Sequence, residues 1–445
     1  MSAVPNSDQR LRVLLVPDWI QWITGTLAQS VARFNPWIDA TILSARVADQ
    51  LLTQRESLRD NFDLVHFTCS YASKKWVPLL SGRMPCVTSH HHVSDWEAQK
   101  HNLEGDAVVV SSRQWENDLL QRGLPKERIF RLPYGVDAKK FRPPSAGERT
   151  ELRRRLGIPP AHVAVGFFAK QSSNEMQRKG TDIFSAAVVA LHKEIDFLTV
   201  VIVGPGWDGF VRSLAASGLH CLYYPFIQTT EELAKIYRVL DFYWVTARVE
   251  GGPVPLLEAM SSGVCCLSTP VGLAPDIIQN GTNALLLETE QSAQFVAQTV
   301  QLARNPSQRL ALGRNARETI LQSMDLPLIY RDVVKLYQLA FANFSRRTGR
   351  LPVVTPAPSP VEGSCPEFTE MPLCGVPQNL RRTVRLMEKL TWADALIAHG
   401  QKTEALISIG RECLLQPAST LAWRFMLRHL LPKPLVATLV KHKNA

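Results

Sequence analysis

Short apolar runs alternate along most of the chain with segments in which apolar residues recur every three or four positions. Apolar runs of four to eight residues are typical of buried parallel strands, and the wider spacing predicts the helices between them. Twelve runs predict strands at 11–16, 40–43, 64–67, 86–89, 107–110, 129–132, 163–169, 198–203, 220–224, 241–246, 264–268 and 284–287. A single helix at about 327–344 is predicted to follow the last strand.

The alternation is interrupted twice. Pro143 and Pro144 end the first set of strands, and a proline-rich stretch at 351–360 follows the second. We therefore predict an α/β protein with two Rossmann-like, doubly wound parallel-sheet domains that face a cleft, at residues 1–145 and 146–346. A linker at 347–378 and a helical appendage at 379–445 complete the predicted organisation.

The C-terminal segment is open to two interpretations. Spacings similar to those of one tetratricopeptide-type helical hairpin occur at Ala393, Gly400, Ala405, Ile409 and Pro417. One such unit is fewer than the three or so that are normally needed for a stable array. The alternative is a small basic helical appendage that packs on the body of the protein or on a partner.

Composition narrows the class of protein. Hydrophobic residues make up 45% and charged residues 20% of the chain, as in soluble globular proteins. The first nine residues form no long apolar segment, and no apolar run elsewhere approaches the roughly 18 residues that span a bilayer. We therefore expect a cytoplasmic protein, or one peripheral at the inner membrane surface. The eight cysteines form no C-x-x-C pair, which predicts reduced thiols.

Positive charge is concentrated at the C-terminus. The net charge is +10, and from Met371 onward eleven Lys and Arg stand against four Asp and Glu, a surplus of +7. Such a segment can contact an anionic membrane or an acidic protein partner, or can be a solvated basic face. No nucleic-acid motif accompanies it, so we expect no nucleic-acid partner.

The residues with the clearest chemical character are two carboxylates, Glu250 and Glu258, separated by a Gly251-Gly252 turn. The turn follows a predicted strand, where glycines allow close backbone approach to a ligand and the next helix N-terminus suits phosphate. Carboxylates accept strong hydrogen bonds from sugar hydroxyls. The ordinary alternative is a solvated Glu250 and a Glu258 that complements the helix dipole.

This stretch resembles the donor-site signature of GT-B fold retaining glycosyltransferases of the group one, or family four, type. That signature is a Glu, seven residues, a second Glu and then Ala-Met-x-x-Gly, and here Glu250 and Glu258 precede Ala-Met-Ser-Ser-Gly at 259–263. The resemblance covers about residues 11–345. It implies metal-independent transfer of a sugar, with retention of configuration, from a UDP- or GDP-linked donor to a hydroxyl acceptor, with no other cofactor.

The resemblance also implies roles for individual residues. Glu250, with the N–H groups of Gly251 and Gly252, would hold the transferred sugar, and Glu258 would bind the nucleotide ribose. The family uses an Arg and the Lys of a Lys-Gly pair for the donor pyrophosphate, where negative charge develops. Lys179 fits the second position, Lys170 stands where Arg is usual, and Arg178 is a further candidate cation.

On the acceptor side, the histidines at 90–92 resemble the segment in which family members place a His near the reacting sugar. His91 is the expected residue, with His90 next. Consecutive side chains on a strand point to opposite faces and chelate poorly, so no metal site is expected. The family's Gly-Gly loop after the first strand is missing, and only Gly25 could replace it. At the predicted interdomain exit, Tyr134 replaces the usual Asn.

The acceptor and two rival functions stay open at this point. A glycan, a lipid-linked sugar, a protein side chain and a small molecule are all compatible acceptors. A GT-B fold nucleotide-sugar epimerase would form product without any acceptor. A non-catalytic scaffold or partner subunit would keep the donor fold but neither hydrolyse nor transfer a donor sugar.

Overall fold

Every apolar run predicted as a strand forms one in the computed structural model of the protein. The first six strands form a sheet in the order β2-β1-β3-β4-β5-β6. Their bounds are β1 Leu11–Val16, β2 Ile38–Ile42, β3 Leu64–Phe67, β4 Cys86–His90, β5 Ala107–Val110 and β6 Ile129–Arg131. Because β2 and β3 lie on opposite sides of β1, the chain reverses its winding direction at β1 and β3.

The other six strands form a second sheet in the order β12-β11-β10-β7-β8-β9. Their bounds are β7 Val163–Phe168, β8 Leu198–Val203, β9 His220–Tyr224, β10 Phe242–Val245, β11 Cys265–Ser268 and β12 Leu285–Leu286. Its ladders are parallel, with Phe242 opposite Cys265 on one side of β10 and Val165 on the other. The winding direction reverses between β7 and β10, the place where doubly wound sheets bind ligands.

Helices connect the strands, as expected for parallel pairs. The described α-helices are α1 Ile23–Arg33, α2 Ala45–Gln54, α3 Ser73–Leu80, α4 Arg113–Gln121, α5 Glu148–Leu156, α6 Ser173–Lys179, α7 Thr181–Glu194, α8 Asp208–Ala216, α9 Thr230–Tyr237, α10 Val254–Ser261, α11 Ala274–Ile277, α12 Ser292–Ala303, α13 Pro306–Ser323, α14 Leu326–Tyr330, α15 Val333–Thr348 and α16 Gln378–Ala398. None of these helices is both long and apolar enough to cross a membrane.

The chain divides into two units, 1–88 with 340–445 and 89–339. The structure describes residues 10–20, 23–54, 61–69, 73–80, 82–92, 100–227, 229–350, 372–373, 376, 378–398, 405–409, 422 and 425. The predicted proline-rich stretch at 351–360 lies outside these residues, as do Gly400 and Pro417 of the predicted hairpin.

The prediction of one helix at 327–344 was wrong, because the structure has two. α14 ends at Tyr330 and α15 begins at Val333. Between them, the N–H of Asp332 donates to the Ile329 carbonyl and the N–H of Lys335 donates to the Asp332 carbonyl. Both bonds span three residues, and this tight turn interrupts the α-helical ladder. The apolar period continues across the turn, so it gave no sign of the break.

The described part of the C-terminal segment belongs to the core of the first unit. Leu373, Val376 and Val384 are buried, at 3%, 3% and 0% exposure, among side chains of the first sheet and of α2 and α3. The carbonyl of Pro372 accepts a hydrogen bond from the N–H of Ile42 over 3.0 Å. Packing against the sheet therefore begins within the predicted linker at 347–378.

Candidate functional site

The predicted donor residues follow two neighbouring strands of the second sheet. Lys170, Arg178 and Lys179 come after β7, and the Glu250-Gly251-Gly252 turn comes after β10. Since β7 and β10 pair in parallel, their carboxyl ends share one edge of the sheet. The winding direction reverses between these two strands, so the residues lie where a ligand is expected.

At the centre of this site is a buried carboxylate held by two cations. Glu250 is only 6% exposed, and its Oε1 forms an ion pair with Lys179 Nζ. Its Oε2 lies 3.4 Å from Arg178 Nη1. Burial raises the pKa of Glu250, but the charges of Lys179 and Arg178 outweigh burial and hold that pKa below its ordinary value. Glu250 is therefore ionised at neutral pH.

A close backbone approach fixes the Lys179-Gly180 pair. Gly180 has φ of +61°, and a Cβ there would lie 1.9 Å from the Thr246 carbonyl oxygen. The Thr246 hydroxyl donates to the Gly180 carbonyl over 2.8 Å. Only glycine fits this contact, which holds the C-terminus of α6 against the loop after β10 and sets the position of Lys179.

Arg248 ties the same loop to two helices. Its Nη1 and Nη2 each lie 2.8 Å from a carboxylate oxygen of Asp182, in the first turn of α7. Its backbone N–H donates to the Arg178 carbonyl over 2.8 Å. This two-point pairing is the strong form of an Arg–carboxylate contact. The contacts of Arg248 thus hold Arg178 and Lys179 beside Glu250.

Two side chains donate hydrogen bonds to the backbone carbonyl groups of the turn. Trp115 Nε1 donates to the Glu250 carbonyl over 2.8 Å, and Ser111 Oγ donates to the Gly251 carbonyl over 2.6 Å. In a trans peptide the C=O and the following N–H point in opposite directions. The N–H groups of Gly251 and Gly252 therefore point away from Ser111 and Trp115. The sequence did not single out either of these two side chains.

The two glycines of the turn pack against the segments that carry His91 and Tyr134. A Cβ at Gly251 would lie 2.2 Å from the His91 carbonyl oxygen, and one at Gly252 would lie 2.7 Å from the Tyr134 ring. His91 Nδ1 and Tyr134 Oη are 2.5 Å apart, within hydrogen-bond distance. His91 therefore meets the turn in two ways, through its own backbone at Gly251 and through Tyr134 at Gly252.

The histidines on either side of His91 are held in surroundings that lower their pKa values. His90 is fully buried with its ring edge against Trp115, and burial lowers its pKa to about 4. His92 is half-buried, and burial and the charge of Arg178 lower its pKa. His90 and His92 are therefore neutral at pH 7. Within the described ranges, no group of three His, Cys, Asp or Glu side chains could hold a metal ion.

Glu258 lies on α10, the helix that follows the turn, and its carboxylate has a hydrogen-bond partner of its own. Tyr237 Oη donates to Glu258 Oε2 over 2.7 Å. Glu258 is half-buried, and burial raises its pKa to about 7 while the Tyr237 hydroxyl opposes that rise. The Tyr237 ring packs on Phe168 at the end of β7, with 4.7 Å between ring centroids. Tyr237 reads as an ordinary apolar helix position in the sequence, so sequence reasoning missed it.

Two other sequence candidates lie outside this cluster of contacts. Lys170 is exposed, two residues beyond the end of β7. Gly25 belongs to the first unit, in the first turn of α1, where a Cβ would lie 2.1 Å from the Ile20 carbonyl oxygen. Gly25 therefore allows the loop after β1 to pack closely on α1.

The second sheet and its site fall within a match to a known family. Residues 163–305 match the family model described as glycosyl transferases group 1. The match begins at β7, runs past α12 and includes all the donor-site candidates from Lys170 to Glu258. Residues 163–305 are thus similar to group 1 glycosyltransferases, which confirms the resemblance found in the sequence.

Curated relatives agree with this class. N-acetyl-alpha-D-glucosaminyl L-malate synthase of Bacillus anthracis is 23% identical over 327 residues, covering 69% of this chain and 82% of the relative. D-inositol 3-phosphate glycosyltransferase of Segniliparus rotundus is 24% identical over 266 residues, covering 56% of this chain and 55% of the relative. For this second relative, the match spans about half of its length.

Solved structures agree on the fold. HepE of Anabaena, in complex with UDP and glucose, superposes with a TM-score of 0.62 at 17% identity. The superposition covers 74% of this chain and 100% of HepE. The architecture is therefore GT-B, as predicted.

Proposed function

We propose that the protein transfers a sugar from a nucleotide-diphospho-sugar to a hydroxyl acceptor, with retention of configuration and without a metal ion. The observation that carries the proposal is the buried, ionised Glu250 beside the Gly251-Gly252 turn, paired with Lys179 and Arg178. A carboxylate accepts the hydroxyls of a sugar, and two cations suit the adjacent pyrophosphate.

Each side chain of the site has a distinct role in this proposal. Lys179 and Arg178 stabilise the charge that develops on the leaving diphosphate, and the exposed Lys170 adds a third cation. Glu250 and the N–H groups of Gly251 and Gly252 hold the transferred sugar. Positive charge from these side chains takes the part that a divalent ion plays in metal-dependent transferases.

The nucleotide and the acceptor are bound by other parts of the site. Glu258 accepts the two ribose hydroxyls, and Tyr237 fixes the direction of its carboxylate. His91 contacts the reacting sugar from the strand end next to the turn. A leaving-group phosphate oxygen accepts the proton of the acceptor hydroxyl, so no protein nucleophile is needed. UDP is our first choice of donor nucleotide, because HepE was solved with UDP and glucose.

Thermal shifts with UDP, GDP and their glucose and mannose conjugates test the donor assignment. We expect one nucleotide family to raise the melting temperature of the wild type, and Glu258→Ala and Lys179→Ala to abolish that shift. Glu232→Ala and Lys235→Ala, at exposed positions on α9, are matched controls that should keep it. A wild type that responds to no nucleotide, or a full shift in both site variants, would contradict the assignment.

Product analysis separates transfer from the rival functions. Incubation with the best donor, with and without acceptors and EDTA, is followed by NMR of the anomeric proton. Retained configuration and unchanged activity in EDTA are the expected results. A different nucleotide sugar formed without acceptor identifies an epimerase, and the absence of both hydrolysis and transfer identifies a scaffold.

A further inference from the structure

The first sheet has its own ligand edge, at the carboxyl ends of β1 and β3. The winding direction reverses between these strands, because β2 and β3 lie on opposite sides of β1. Ligands of doubly wound sheets bind outside the strands at this reversal. The loop that follows β1 contains Asp18 and Trp19, and the Asp18 carboxylate accepts a hydrogen bond from the Trp19 N–H over 2.7 Å.

Helix α16, from the C-terminal segment, packs at the same edge of the sheet. Glu388 Oε1 accepts a hydrogen bond from the Ser44 N–H over 2.7 Å, just before α2 begins. Glu388 is 6% exposed. Further along α16, Asp394 forms an ion pair of 3.0 Å with Arg46. Since Ser44 and Arg46 follow β2, these contacts hold α16 over the carboxyl end of that strand.

Trp392 extends this contact to the loop after β1. It stands four residues after Glu388, on the same face of α16. Its ring meets the ring of Trp19 edge to face, with 6.5 Å between centroids and an angle of 61°. Both residues are half-buried, so each keeps part of its surface open to solvent. A residue of the C-terminal segment is thus brought to the ligand edge of the first sheet.

We propose that Trp19 and Trp392 form one wall of the acceptor-binding surface, and that the acceptor presents a sugar ring to them. This proposal rests on the proposed function. A sugar has an apolar C–H face and a polar rim, and an indole offers an apolar ring with one N–H donor. Ligand sites are typically lined by aromatic rings with a few polar groups, and the Asp18 carboxylate beside Trp19 is such a group.

The consequence is that the C-terminal segment selects the acceptor. Glu388 and the Arg46–Asp394 pair hold α16 in place. Trp392 is the side chain of α16 that touches the acceptor, and Trp19 touches it from the loop after β1. The donor site lies wholly in the other unit and uses none of these residues. Changes at Trp392 therefore act on the acceptor and leave nucleotide binding as it is.

Saturation-transfer NMR on the full chain tests this proposal. The probes are the methyl α-glycosides of glucose, galactose, mannose and N-acetylglucosamine, with UDP as the probe of the donor site. We expect at least one glycoside to bind the wild type. Trp392→Ala and Trp19→Ala should each reduce its signal at least fivefold, Trp392→Phe should keep at least half, and the UDP thermal shift should be unchanged in all three.

Thr383→Ala is the surface control. Thr383 is an exposed position on α16, and its replacement removes no aromatic ring, so the glycoside signal of this variant should equal that of the wild type. Binding of none of the four glycosides, a full signal in either tryptophan-to-alanine variant, or an equal loss in Trp392→Phe and Thr383→Ala would overturn the proposal. An absent UDP shift in the wild type would instead contradict the proposed donor function, independently of the glycoside result.

Discussion

The hydroxyl of Tyr237 donates a hydrogen bond to the carboxylate of Glu258 over 2.7 Å. Burial favours the protonated form of Glu258 and raises its pKa to about 7, and the bond from Tyr237 opposes that rise. The balance places the titration of this carboxylate close to neutral pH. The charge that would bind a ribose therefore depends on a tyrosine in a different helix.

We predict that Tyr237→Phe weakens nucleotide binding and moves its pH dependence. If ionised Glu258 binds the ribose, wild-type affinity for UDP rises as the pH increases through about 7. Loss of the Tyr237 hydroxyl removes a bond to the charged form, so the pKa of Glu258 rises and the midpoint moves to higher pH. At pH 7 we expect the Kd to increase about tenfold, or ~1.4 kcal/mol. Titration calorimetry between pH 6 and 9 measures both effects.

Tyr243→Phe is the matched control for this variant. Tyr243 is also buried, and burial and the charge of Glu258 raise the pKa of its hydroxyl, while a hydrogen bond with the Phe168 backbone opposes that rise. The control loses a buried hydroxyl without losing the bond to Glu258, so its pH midpoint should stay at the wild-type value. Equal midpoints in the two variants would show that Tyr237 has no special part in nucleotide binding.

Gly180→Ala should displace Lys179. The added Cβ would lie 1.9 Å from the Thr246 carbonyl oxygen, at a backbone φ of +61° that alanine rarely adopts. We expect a loss of ~1–3 kcal/mol in the free energy of unfolding, together with weaker UDP binding. Gly209→Ala is the comparison, because nothing lies within 4 Å of a Cβ at that position. Denaturant unfolding and UDP titration of both variants check the prediction, and equal stability of the two would contradict it.

Most of the fold could be predicted because the strands are buried on both faces. Such strands appear in the sequence as continuous apolar runs, as in Leu198–Val203. The start of β2 was missed because Asp39, a charged residue on an edge strand, interrupts the run. The packing of Leu373 and Val376 could not be predicted either, since two isolated apolar residues among prolines have no period.

The residues of the candidate site also fall into those that the sequence indicated and those that it did not. Glu250, Lys179 and the glycines were found because each occupies a fixed place in a short motif. Trp115 and Tyr237 were not found, because each lies on a helix outside that motif. Trp115 stands 135 residues before its partner Glu250, and Tyr237 stands 21 residues before its partner Glu258. Tertiary hydrogen bonds of this kind depend on where two helices meet, and one sequence does not contain that information.

Ser111→Ala should both destabilise the protein and weaken donor binding. Ser111 is 2% exposed, and its hydroxyl donates to the Gly251 carbonyl over 2.6 Å. The substitution leaves a buried carbonyl without this donor, which costs ~1–3 kcal/mol, and it frees the turn to rotate. We expect the KM for the donor to rise more than kcat falls.

The comparison for Ser111 is Ser213 on α8, whose exposed hydroxyl donates to the Phe210 carbonyl over 2.7 Å. Water can replace that bond, so Ser213→Ala should change neither stability nor KM measurably. Chemical denaturation and donor saturation curves test both variants. A KM for the Ser111 variant equal to that of the Ser213 variant would exclude Ser111 as a support of the turn.

Asp241→Asn should be the most destabilising of these substitutions and should leave the chemistry intact. Asp241 precedes β10, and its carboxylate lies 2.8 Å from Arg149, 2.6 Å from Arg153 and 3.2 Å from Arg309. Burial raises the pKa of Asp241, but the three arginines outweigh burial and hold that pKa below its ordinary value. Removing the charge leaves the arginines without their shared partner, at a cost of ~3–5 kcal/mol.

The sign of the pH dependence follows from the lowered pKa of Asp241. Its stabilising contribution is complete above the unfolded-state pKa of about 3.9 and is lost as the pH falls through the lower, folded-state pKa. The difference in unfolding free energy between the wild type and Asp241→Asn should therefore shrink below about pH 4. Asp332→Asn breaks only an exposed pair with Lys335 and should cost at most ~1 kcal/mol. A pH-independent difference for Asp241→Asn, or a cost equal to that of Asp332→Asn, would contradict this account.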